Sequence, residues 1–405
     1  MSARETSHLQ VPGGDLDVLI LGGTVIDPAQ GIREIADVAI KAGRIAGIGD
    51  GIPEGKARVA IDATGKLVMP GLVDLHTHVY WGGTTLSVEA DPIAARTGVT
   101  TFVDAGSAGA GNFAGFYEHV IRRSKARIFA FLNICYTGIV NASEWIPRHE
   151  RMPLHHMSIP AALEVAQQYP ERVIGFKVLA AGQYSDHALG ALQLAIEAGR
   201  VASKPVMVHF DLPPPGVRQI LPALESGDIL THAFRGGLNT CLKSDGEVIP
   251  ELIDARRRGV LLDIGHGAGS FSNHVARGML RLGIEPDCIS SDIHAKSVNG
   301  PAKDLPTTMS KMLALGMDLD AVVAAATINP ARAVGLDRDL GHLKVGSPAD
   351  VAIFELEAGR FTFEDAVRIS YGSPDGVLVS KFTGDRRLRH VQTILAGKVL
   401  AAGGD

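Results

Sequence analysis

Two contrasting rhythms along this chain predict an α/β protein, a (β/α)8 TIM barrel carrying a small β-sandwich domain formed by both chain ends. Between about residues 70 and 343, eight short apolar runs alternate with helix-like amphipathic stretches. Such alternation implies a parallel sheet, and eight units over this length favour a closed barrel. The two ends instead carry short β-branched runs broken by Gly, Asp and Pro, the pattern of small antiparallel strands. The expected division is residues 1–69 and 346–405 for the two parts of the sandwich and 70–345 for the barrel.

Taken in order, residues 16–48 read as the opening strands of the β domain. The barrel runs follow at 71–75, 100–104, 128–134, 173–178, 205–208, 228–230, 260–264 and 288–291, with helices expected at 188–202 and 251–258 among others. The run GSAGAGN at 106–112 lacks the spacing of a dinucleotide or phosphate-binding motif. It reads as a flexible loop and lends no support to the alternative of a doubly wound open sheet. Residues 350–355 and 391–401 return to short strands, separated by a less regular piece around 373–387.

Composition narrows the partners. The 405 residues are 46% hydrophobic and 20% charged, enough for a large core and more than one folding unit. A formal charge of −5 and the absence of any Lys/Arg-rich run give no field for nucleic acid. The three cysteines, Cys135, Cys241 and Cys288, are odd in number and far apart, which fits a reducing cytoplasm rather than a disulfide framework. No leader-like apolar segment opens the chain and no apolar run is long enough to cross a bilayer, so no membrane partner is expected. A small-molecule substrate remains.

Chemistry is expected where barrel strands end. The first run ends in His76 and His78, which point the same way on a strand and can reach one metal ion. Later runs hold Lys177 or end in His209, His232 and Asp292. A single strand-end histidine is commonly a core residue, whereas four at three such ends favour a metal site. Lys177 sits in the apolar run VIGFK, where burial favours the neutral amine. It could form a Schiff base, pair with Asp292, or add carbon dioxide to become a carbamate. Charge balance supports the carbamate, because two divalent cations beside one carboxylate need a further anion.

The stretches GLVDLHTHVY, GFKVLA and TINPARAVGLDRDLGHLKVGSPADVAIFE, with His209, His232 and Asp292, resemble the amidohydrolase superfamily, and the likeness spans nearly the whole chain. DLHTHVYWGGTT, LNICYTGIV, KVLAAGQYSD and HAFRG are similar to its deacetylase-like subgroup, which is related to dihydroorotases. The resemblance implies two divalent metal ions, usually Zn2+. His76, His78 and Asp292 would hold the more buried one, His209 and His232 the more exposed one, and carboxylated Lys177 would bridge them. It further implies attack by a metal-bridged hydroxide, with Asp292 as catalytic proton acceptor and donor. A homo-oligomer is plausible on the same ground.

For substrate binding, Arg235 is the leading candidate, as a carboxylate clamp or equally as a salt-bridged loop residue. Tyr136, Asn133, Gln183, His266 and His294 also follow strand ends, and Tyr80 and Trp81 offer an apolar wall. The β domain is expected to stay clear of the chemistry. The subgroup implies a deacetylase acting on a small N-acetyl amino acid or O-acetyl α-hydroxy acid. A cyclic amide hydrolase of dihydroorotase or hydantoinase type is the alternative, and a non-catalytic scaffold with the same fold is a third reading.

Overall fold

The computed structural model describes residues 15–51, 57–142, 146–370 and 376–401, so the polar start read above lies outside the described residues. Five strands come first: β1 (Leu16–Asp27), β2 (Ile32–Lys41), β3 (Arg44–Gly49), β4 (Ala57–Asp62) and β5 (Leu67–Pro70). β1, β2 and β3 form an antiparallel meander, as the turn-punctuated β-branched pattern predicts. A register shift between Ile20 and Gly23 kinks β1, so that β4 pairs with its first half and β5 with its second.

The barrel strands follow: β6 (Leu72–Thr77), β7 (Val99–Gly109), β8 (Arg127–Asn133), β9 (Val173–Leu179), β10 (Val206–His209), β11 (Ile229–Thr231) and β12 (Leu261–Leu262). Each pairs in parallel with the next in chain order. The period-2 geometry of a strand sorts their side chains. On β10, Met207 joins the cluster inside the barrel while Val206 and Val208 pack outward, which sends His209 inward as well. Phe129 and Phe131 on β8 do the same against Ile128, Ala130 and Leu132.

The eighth run differs from expectation in kind. Residues 288–291 form no strand, yet they close the barrel through parallel bridges Asp263 to Cys288 and Thr77 to Ile293. Side chains replace part of the ladder: the Ser291 N–H and hydroxyl both donate to the buried Asp74 carboxylate, at 2.9 and 2.5 Å. The glycine-rich run is also no loose loop. Its first four residues continue β7, fully buried, because Gly106 (φ +84°) lies against the Lys177 stem, where a Cβ would come within 2.6 Å of Lys177 Cγ. Helix Ala188–Ala202 matches its expected span, and the second begins at Pro250, a residue suited to a first helical turn, and ends at Arg257.

The last strands are β13 (Ser270–Phe271), β14 (Val351–Arg368), β15 (Val377–Leu395) and β16 (Lys398–Leu400). β14 and β15 form one long antiparallel hairpin, which corrects the expectation of an irregular piece at 373–387; residues 371–375 lie outside the described residues. Near its base, β14 pairs with β5 and joins both chain ends in one sheet. The hairpin packs Phe363 of β14 and Phe382 and Leu388 of β15 into the barrel's hydrophobic cluster with Met309 and Met312. That apolar contact replaces the turns expected there. At its tip, β14 pairs with β13, which lies just after the seventh barrel strand. The three cysteines are buried and free. Among the described residues, no helix is long and apolar enough to cross a membrane.

Candidate metal centre

The strand-end residues converge at the C-terminal mouth of the barrel. One ligand atom each from His76, His78 and Asp292 lie within 4.8 Å of one another. Asp292 Oδ1 is 3.5 Å from His76 Nε2 and 3.4 Å from His78 Nε2. Neighbouring groups set the imidazole tautomers. Thr231 Oγ1 donates to buried Asp263 at 2.7 Å and therefore accepts from His76 Nδ1, also at 2.7 Å, leaving the His76 Nε2 lone pair facing Asp292. His78 Nδ1 contacts Ser107 Oγ at 2.9 Å. His232 Nδ1 donates to the Gly265 carbonyl at 2.6 Å, and its Nε2 faces His209 Nδ1 at 2.7 Å.

Burial keeps these imidazoles neutral. It pushes His78 down to about 4 and His76, His209 and His232 well below the ordinary histidine value. Burial raises the Asp292 carboxyl to about 6 and lowers the Lys177 ammonium to about 7. Two residues reach the site through unusual backbone: Asp292 (φ +48°), just after the closing segment, and His232 (φ +64°), just after β11, are left-handed. Gly267 (φ +56°) permits the first of these, since a Cβ there would meet Asp292 Oδ2 at 2.3 Å.

A cavity of about 150 Å3 opens onto this cluster. It is lined by His76, His78, Lys177, His209 and Asp292, and of the substrate-binding candidates by Gln183 and His294. Arg235 does not line it. Its side chain is buried, ion-paired with Asp211 and bonded to the Phe210 carbonyl at 3.1 Å, so the salt-bridge alternative describes its place. Asn133 also stays outside: its amide donates to the Gly106 carbonyl and its oxygen accepts from the Cys135 N–H. Tyr136 is half exposed and stands over Gly111; His266 bonds to Lys311; Tyr80 stacks on Phe116, and Trp81 is exposed.

The Amidohydrolase family model matches residues 67–400. The chain belongs to the amidohydrolase family. It is accordingly a hydrolase acting on C–N bonds. It is 38% identical over 315 residues to a deacetylase of Agrobacterium fabrum, covering 78% of this chain and 76% of that one. Among solved structures, an adenine deaminase superposes with a TM-score of 0.82 at 30% identity, covering 95% of this chain and 99% of that one. A dihydroorotase superposes with a TM-score of 0.81 at 32% identity, covering 95% and 98%.

The donors of this amidohydrolase fit a divalent cation. Among the described residues Asp292 Oδ1 and His209 Nε2 are buried without a hydrogen-bond partner, His76 aims its Nε2 lone pair at that carboxylate oxygen, and His78 Nε2 faces the same atom at 3.4 Å. Converging lone pairs repel one another unless a cation lies between them. Sequence reasoning missed several participants. Asp263 and Thr231 orient His76, and Arg151, Lys296 and Arg368 line the cavity. Asp263 and Thr231 do end barrel runs, a signal that could have found them; Arg368 carries none.

The Asp263–Thr231–His76 chain gives a first expected outcome. Thr231→Val removes the acceptor for His76 Nδ1, and zinc affinity, read by competition with a chromophoric chelator, falls about 10- to 100-fold. Unchanged affinity would show that the ring needs no such support.

Proposed function

We propose that this amidohydrolase is a zinc-dependent deacetylase that releases acetate from a small N-acetyl amino acid or O-acetyl α-hydroxy acid. The observation that carries the reading is the convergence of Asp292 with the paired histidines around Lys177, in a cavity sized for a small molecule. The 38% identity to a deacetylase supports the choice of bond. In this reading the barrel spans 70–345, the two β parts 1–69 and 346–405, and the protein works in the cytoplasm.

His76, His78 and Asp292 would hold one divalent cation and His209 and His232 a second, with Lys177 between them as a carbamate. Lys177 suits that modification: it is buried, its amine is substantially neutral near pH 7, and its contact with His76 Nε2 is a long 3.5 Å. The second buried lysine, Lys311, contrasts with it, since its nitrogen is satisfied by the Pro301 carbonyl and by His266. Two cations held there would supply a water activated near neutral pH and polarise the scissile carbonyl. Asp292 takes the proton from the attacking water and returns it to the departing nitrogen or oxygen. His294, held neutral by burial that lowers it to about 4, lies beside Asp292 without competing for that proton at neutral pH. Leu86, Ile139 and Leu179 provide an aliphatic wall that excludes water.

The likeness to a dihydroorotase supports cyclic amide hydrolysis as the second reading. The test is acetate release by zinc-loaded protein from acetylated D- and L-amino acids and R- and S-hydroxy acids, with dihydroorotate, hydantoin and adenine consumption in parallel. Chirally selective acetate release is expected. Ring opening or ammonia release without acetate would overturn the deacetylase.

A further inference from the structure

We infer that Arg368, carried into the barrel mouth by the β domain, holds the carboxylate of the substrate, which makes that domain part of the active site. The inference rests on the deacetylase reading and names the residue that would select acidic substrates. It also replaces the expectation that the β domain stays clear of the chemistry.

The placement is built into the main chain. Arg368 is the last residue of β14, whose Val367 and Ala366 pair with Ser270 and Phe271 of β13. Its N–H donates to the Gly269 carbonyl at 2.8 Å. Gly269 and Ser270 themselves line the cavity, so the ladder seats the arginine at its edge, with the side chain 28% exposed. Rigid elements position a binding group better than loops do.

The electrostatics favour an anion on this wall. Arg368 Nε lies 3.9 Å from Asp211 Oδ2, and Gln183 Nε2 donates to the same oxygen at 3.3 Å. Asp211 is already neutralised from behind by the buried Arg235, which pairs through Oδ1. Arg151 joins the wall by donating to the Gln183 carbonyl at 3.2 Å. Among the described residues that line the cavity, the cationic side chains Arg151, Arg368 and Lys296 stand with Asp211 outside the metal site. A guanidinium has five donors in a planar fork, so Arg368 can keep its existing contacts, Asp211 among them, and still present donors to a carboxylate.

Geometry links this wall to the reacting centre. Asp211 Oδ2 is 3.9 Å from His209 Nε2, which places the cationic wall next to the metal-side histidines. A substrate with its carboxylate on the atom adjoining the acylated nitrogen or oxygen spans that short distance. Leu86, Ile139 and Leu179 leave the remaining wall aliphatic. The substrate class is therefore an N- or O-acyl α-substituted acid with a free carboxylate and an apolar side group.

The test compares native protein with Arg368→Met and Arg368→Lys on N-acetyl-leucine, both enantiomers, and on the uncharged N-acetyl-leucinamide. Zinc content and Tm are measured alongside. Arg368→Met is expected to raise KM for the acid about 10- to 100-fold and to leave the amide within about threefold, with Arg368→Lys between. Equal effects on acid and amide, or none on either, would overturn the inference. Calorimetric binding of 4-methylpentanoate separates the two levels of the argument. If the native protein releases no acetate, the deacetylase reading falls and anion binding alone decides. Weaker binding by Arg368→Met upholds the arginine; equal binding, or none by the native protein, removes it.

Discussion

Replacing Lys177 with methionine is expected to lower turnover by at least about a thousandfold, the several kcal/mol that a bound cation supplies, and to strip metal from the protein. The same substitution should raise the Tm of chelator-treated protein. Burial lowers the Lys177 ammonium to about 7, whereas the unfolded chain keeps the ordinary value near 10.5. Between those values the unfolded state binds the extra proton, so the lysine costs stability that is recovered only as pH rises towards 10.5. Methionine removes that cost and fills a similar volume. Activity and stability thus move in opposite directions, which a merely structural lysine would not produce. A variant that kept its zinc and its turnover would remove Lys177 from the centre.

Metal loading should carry the same titration. Addition of carbon dioxide needs the free amine, so zinc reconstitution of chelator-treated protein at fixed dissolved carbon dioxide should accelerate from pH 6 to about 7 and then level off. The histidines do not shape that profile, because burial holds His78 near 4 and His76, His209 and His232 well below the ordinary histidine value. Reconstitution indifferent to carbon dioxide would point to a Lys177 that stays unmodified.

Asp292→Asn is the second large effect, with kcat reduced about 10²- to 10⁴-fold. Asparagine keeps the shape and one coordinating oxygen but cannot accept the proton. The loss should fall on kcat more than on KM, because proton transfer belongs to the transition state rather than to substrate binding. Zinc measured on the same preparation distinguishes the two tasks of the residue. Full metal with low kcat isolates proton transfer, low metal with low kcat isolates coordination, and full metal with full turnover would refute both. Asp74 gives the physical reason why this carboxylate is well placed. It clamps Ser291, the preceding residue, and holds the closing segment against β6.

What could be read along the chain follows from local rules. A parallel barrel declares itself through alternation of apolar runs and amphipathic helices, and each run ends where its side chains leave the core. His76, His78, Lys177, His209, His232 and Asp292 stand at or near such ends, which brings them to one barrel mouth. Other features were not local. The closing segment at 288–291 lost its ladder to side-chain bonds from Asp74, 217 residues earlier. Arg235 met the buried Asp211, 24 residues away, and a guanidinium bound to a buried carboxylate stays with it rather than facing substrate.

By itself, then, the sequence determined the barrel, the strand-rich character of both ends, and which polar residues stand at the barrel's strand ends, because period-2 and period-3.6 patterning act within a few neighbouring residues. Only the tertiary structure decided that Arg368 reaches the cavity. The β14–β15 hairpin packs across the barrel through Phe363, Phe382 and Leu388, and that apolar contact, made far from the site in sequence, carries Arg368 to a mouth it has no local reason to reach.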